Sequence, residues 1–204
     1  MIHYYYEDYY AFKFEKFQIL SFVITMTGQI SDQFKYEGEV YNLVGLDGAG
    51  LYTPEDFGIT TQVASTACWR GYQMFYDCVD GELILDSLHA RTNDKISING
   101  VEPSEKGKGD VLTFFNAYYD KISLKTKFTG TILLGKDFIR EMYVHMGFQS
   151  AESYKTVLEI EVRNGDIIKE TDLSKRMEER RHRGQEKPAS PPSPAVRIRD
   201  TATG

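Results

Sequence analysis

Cysteine is almost absent from this chain: Cys68 and Cys78 are the only two in 204 residues. Two thiols cannot build a disulfide framework, and no Cys/His spacing of the zinc-binding kind surrounds them. Both therefore read as reduced thiols of a cytoplasmic protein. Trp69 is the single tryptophan, and four of the six prolines fall after residue 187, which leaves the body of the chain free to form regular strands. No apolar run reaches the ~20 residues that a bilayer-spanning helix needs, so no membrane insertion is expected. The glycine-rich stretch GLDGAG (45–50) lacks the lysine and the following helix of a phosphate-binding loop, which argues against a nucleotide fold. His89 and His145 lie 56 residues apart with no His-x-x-x-His spacing, so neither a metal nor a cofactor is expected.

What the chain has in excess is aromatic residues. Tyrosine and phenylalanine number 14 and 12, and this favours strands over helix bundles. Charge is unevenly spread. Residues 26–173 carry 14 basic and 23 acidic side chains, a net of −9, whereas residues 174–204 carry 8 and 4, a net of +4. An acidic body repels phosphate, which excludes nucleic acid as a ligand of the core and suits a basic protein partner.

Composition divides the chain into three parts. Residues 1–25 form a leader without proline or glycine, in which Ile, Tyr, Phe and Lys fill 14 of 25 positions. Tyr9, Phe12, Lys16, Phe17, Leu20 and Ile24 follow helical spacing, yet Glu7 and Asp8 and the lack of an Ala-x-Ala site argue against a secretory signal. The leader reads as separable from the domain, with Met26 as an alternative start. Residues 26–173 read as one globular domain. Residues 174–204 are basic, proline-containing and poor in apolar side chains, so they are expected to stay disordered.

Within the domain, turn chemistry marks the strands. Alternating runs flank Glu37-Gly38, Asp80-Gly81 and Asn164-Gly165, and each reads as a β-hairpin; a shorter strand carries a turn at Asn99-Gly100. A short helix is expected over 111–122 from Leu112, Phe115 and Tyr119, and a second over 136–147 with Gly147 as its stop. The expected fold is α+β with β dominant: antiparallel hairpins forming a curved sheet or half-open barrel, covered by one or two short helices.

The order ACWRGY, DGELILDSL, FTGTI, YVHMG and LEIEVRNGDII resembles a group of short bacterial proteins with no established activity. Its marks are a Trp-Arg-Gly-Tyr element before a strand and a Tyr-x-His-Met-Gly element near the end. The resemblance covers about residues 30–168 and carries over no chemistry.

The candidate site residues come from those two elements. Trp69, Arg70, Tyr72 and His145 are the candidates for ligand or partner contact; Cys68, Asp86 and His89 are weaker ones. Arg70 between aromatic residues can stack and can grip a carboxylate with its planar fork, or it can pair internally with Asp86 or Asp77 and lock the hairpin to the core. No cysteine-hydrolase pattern surrounds Cys68, and a thiol beside tryptophan usually packs as a small hydrophobe. The sequence therefore points to a binding or interaction module with a protein partner and no catalytic signature. An enzyme built on Cys68, Arg70 and His145 is one alternative; a small-ligand carrier with an aromatic-lined interior is the other.

Overall fold

The computed structural model describes residues 28–105 and 114–185; the leader and the proline-containing end of the tail lie outside them. Among these residues nine strands form: β1 Gln33–Tyr36, β2 Glu39–Ala49, β3 Tyr72–Val79, β4 Glu82–Ala90, β5 Ala117–Tyr119, β6 Leu124–Lys125, β7 Thr129–Phe138, β8 Tyr154–Arg163 and β9 Asp166–Asp172. The α-helix α1, Ser174–Gln185, comes after them among the described residues.

The hairpin turns form where two adjacent residues take positive φ. Glu37-Gly38, Asp80-Gly81, Asn99-Gly100 and Asn164-Gly165 all do so, with φ between 48° and 84°. Two-residue turns of that hand match the right-handed twist of the strands they join. The order β3-β1-β2-β7-β8-β9-β4 returns to β3 through the β3–β4 ladder and closes a seven-stranded barrel, with β5 and β6 added along β4. The fold is thus β-dominant α+β as expected, and the barrel is fully closed. The sheet is mixed, because β1 runs parallel to β3 while the other pairs are antiparallel.

Alternation fills the interior. Phe34, Tyr76, Leu83, Leu85, Ile132, Leu134 and Ile160 are each at most 2% exposed, and the Phe34 and Tyr76 rings stack at 4.7 Å. Contacts of this kind, rather than any crosslink, hold the strands together.

Three expectations are corrected. Where a helix was expected over 111–122, the described residues 117–119 form β5, which pairs with Leu88–Ala90; all three residues are buried, and the sheet edge satisfies their backbone. In place of a helix over 136–147, β7 continues to Phe138 in register with Tyr154, and only one 3-10 turn, Arg140–Met142, follows. Long-range pairing outweighs local helical spacing in both cases. The tail does not lose order at Ser174. Met177, 3% exposed, packs with Ala151, Tyr154 and Val157, and Arg181 donates to the carbonyls of Glu152 and Tyr154, so one apolar anchor together with arginine contacts docks α1. Among the described residues no helix is long and apolar enough to cross a membrane.

Candidate functional site

The Trp-Arg-Gly-Tyr element leads into β3, and each of its residues has a distinct task. Gly71 has φ +77°, and a Cβ there would lie 2.0 Å from the Gln62 carbonyl oxygen, so only glycine fits this close backbone approach. The Gly71 carbonyl accepts from Arg91 N–H, which ties the turn to the end of β4. Trp69 remains 47% exposed. Arg70 turns inward.

Its partner is Asp32, not Asp77 or Asp86. The guanidinium meets the carboxylate with both ends of its fork, Nη1–Oδ2 at 2.9 Å and Nη2–Oδ1 at 2.5 Å, and Met74 N–H donates to the same Oδ1 at 2.7 Å. Burial by itself lowers the pKa of Arg70, but the charge and hydrogen bonds of Asp32 outweigh it, so the net shift is upward and the group stays cationic. The guanidinium carbon lies over two aromatic rings, 4.5 Å from the centre of Tyr72 and 5.7 Å from that of Phe148. Asp77 instead pairs with Lys35 at 3.0 Å. Asp86 accepts from the Ser87 hydroxyl and, with Asp77 and Phe75, borders a separate small hollow on the outer face.

A pocket of 360 Å³ opens beside this ion pair, lined by Leu43, Leu46, Leu51, Tyr52, Tyr72 and Phe148 around Arg70 and Asp32. It sits at the mouth of the barrel, where β1 begins and β2 runs on beyond it. The segment Gly28–Asp32 gathers the pieces. Gly28 N–H donates to the Tyr143 hydroxyl and Gln29 N–H to the Gly147 carbonyl, while the Gln29 side chain bridges Thr66 and Trp69. The two elements singled out in the sequence thereby become neighbours. Around them Leu46, Trp69, Tyr143, Val144, Met146 and Phe148 are each between 40% and 53% exposed.

The remaining candidates lie elsewhere or face differently. His145 is exposed on the loop, with its ring edge-on to Tyr143 at 5.0 Å. Cys68 is 1% exposed in a cluster with Phe115 and Tyr118, where burial pushes the thiol pKa up. His89 sits among aromatic rings, 4.5 Å from Phe75 and 4.8 Å from Tyr118. Among the described residues no group of three or more His, Cys, Asp or Glu side chains is arranged to hold a metal. Of the seven candidates, Arg70 and Tyr72 line the pocket and Trp69 and His145 stand on segments at its rim. Cys68, His89 and Asp86 do not reach it. Sequence reasoning missed Asp32, Leu46, Tyr52 and Phe148; the exposed apolar run of the 143–148 segment was the one signal that could have marked Phe148.

Comparison with known proteins found no matching family model, no matching curated protein and no matching solved structure.

Proposed function

We propose that this protein is an interaction module that docks a partner protein at the mouth of its barrel, with the Arg70 pocket as the anchor point. One observation carries the reading: Leu46 and Phe148, each about half exposed and from separate segments, line a single pocket, and the segment Gly28–Gln29 beside it ties in the exposed Trp69 and Tyr143. Exposed apolar side chains gathered at a pocket are costly to leave in water and are typical of docking surfaces. The Arg70–Asp32 pair fits a scaffold role, because the arginine fork is already occupied and fixes the pocket wall. The net charge of −9 over residues 26–173 favours a basic partner and speeds its approach at low salt. Membership among the short bacterial proteins that the sequence resembles, and a cytoplasmic setting, belong to the same proposal. A pocket of 360 Å³ also falls in the size range of small-molecule sites, so a small apolar ligand is the second reading.

The test is a photo-crosslinking amino acid placed at position 148, with position 168 on β9 as the control. The expected result is an adduct with one identified protein from position 148 alone. Binding of that protein, once purified, should fall at least tenfold with Leu46→Asp and should weaken with salt. No adduct at 148, or binding indifferent to Leu46→Asp, overturns the proposal. A small-molecule mass on the native protein would favour the second reading.

A further inference from the structure

The strands at the pocket are unequal in length. β1 has 4 residues and β2 has 11, and their ladder ends at Gln33↔Asn42. One more bond, from Leu43 N–H to the Asp32 carbonyl, follows before the chain is drawn away from β2. The Asp32 side chain is held by Arg70 and Met74, and Ile30 N–H and Gln29 N–H go to Ala67 and Gly147, which draws the chain away. From Gly45 to Ala49, among the described residues, β2 is paired with β7 alone, and Val44 is bulged out of that ladder. A strand edge left in this way offers unpaired backbone groups, and proteins usually block it with charge, proline or a covering segment. Here Leu46 to Gly50 are exposed, Gly45 and Gly48 put no side chain in the way, and the pocket opens alongside.

We propose that this edge is a strand-addition site: an extended segment of a partner protein pairs with Val44–Ala49, places one aliphatic or aromatic side chain in the Arg70 pocket, and carries Lys or Arg beside it. The inference rests on the protein-docking reading above and names the chemistry of the docked segment. Main-chain pairing gives the affinity and the pocket selects the side chain, as in other recognition by an added strand. Six residues of edge span about 20 Å in extended chain, which suits a short linear segment. The preference for basic flanks follows from charge. Asp47 lies on the edge itself, Glu55 lies in the 3-10 turn Pro54–Phe57 that follows Tyr52 and Thr53, and Arg70 on the pocket wall is already paired.

Three labelled octapeptides test this on the full chain by fluorescence anisotropy: Lys-Arg-Thr-Val-Ile-Val-Arg-Lys, the same core with Glu at the four charged positions, and the basic peptide with alternate backbone nitrogens of its core methylated. The basic peptide should bind at least tenfold more tightly than the acidic one at low salt, and methylation should cost at least tenfold. Hydrogen exchange at Gly45–Ala49 should slow on binding. Asp47→Lys with Glu55→Lys, two exposed positions, should remove the preference without changing the melting temperature. Equal or better binding of the acidic peptide overturns the basic-flank claim, and undiminished binding of the methylated peptide overturns strand addition. If no peptide binds while the photo-crosslinked partner still docks at position 148, strand addition fails and the docking reading stands. Loss of both ends both.

Discussion

The interior of the barrel and its mouth use the same residue types to opposite effect. Phe34 and Phe148 show the contrast. Phe34 is fully buried and stacked on Tyr76, whereas Phe148 is 53% exposed and lies over a charged guanidinium. The interior is closed by ladders on every side. At the mouth one strand starts late, and the gap is lined with apolar side chains that no described part of the chain covers. Stability is therefore concentrated in the interior and binding capacity at the mouth.

The sharpest way to break that contrast is to truncate both phenylalanines. Phe34→Ala should cost about 3–5 kcal/mol, because it removes a large buried ring and leaves a cavity. Phe148→Ala should cost no more than about 1 kcal/mol, the scale of a partly exposed cation–π contact. Urea denaturation of the two variants checks this. Similar losses from both would show that the mouth is structural, and the docking reading would lose its main support.

The Arg70–Asp32 pair stands between the two regions and should give an intermediate effect. Asp32→Ala leaves a largely buried guanidinium without its counter-charge and Met74 N–H without an acceptor. With the side chains of Arg70 and Asp32 23% and 9% exposed, solvent screens part of this loss. We expect about 2–3 kcal/mol, below the 3–5 of a fully buried broken pair. Asp32→Asn, which keeps the Met74 bond, should lose less. Equal losses from the two variants would show that the ion pair, lost in both, and not the Met74 backbone bond is what matters at this position.

How much of this was legible in the sequence follows from distance along the chain. The hairpins announced themselves through Asp80-Gly81 and Asn164-Gly165, because a two-residue turn with positive φ is set by adjacent residues. Arg70 was visible as an unusual residue, but its partner lies 38 positions away among several equivalent acids, so the nearer Asp77 and Asp86 were expected in its place. The parallel contact of β1 with β3, which completes the ring, has no local signature at all. The two mistaken helices share one cause: Phe115 and Tyr119, and the residues around Phe138, fit a helical repeat as well as they fit a strand beside β4 or β8.

The smallest effect we expect separates the interior from the mouth by pH. Cys78 is held in the barrel wall, and burial, with a smaller contribution from the charge of Asp77, pushes its thiol pKa up to about 12. An unfolded thiol ionises near pH 8.5. Because the folded value is the higher one, the stabilisation is complete below about pH 8.5 and is lost progressively as pH rises toward 12. Tyr76, whose hydroxyl is raised chiefly by burial, adds to the same alkaline loss. Urea midpoints measured between pH 7.5 and 10.5 should therefore fall, and Cys78→Val should flatten part of that slope. Cys68 is raised in the same direction by its own burial, so both thiols should react slowly with iodoacetamide at pH 8.5 in the folded protein and quickly in urea. Fast alkylation of Cys68 in the native state would reverse this. It would mean that an accessible thiolate stands beside the Trp69-Arg70 turn, and the chemistry of the mouth would then include a nucleophile as well as a docking surface.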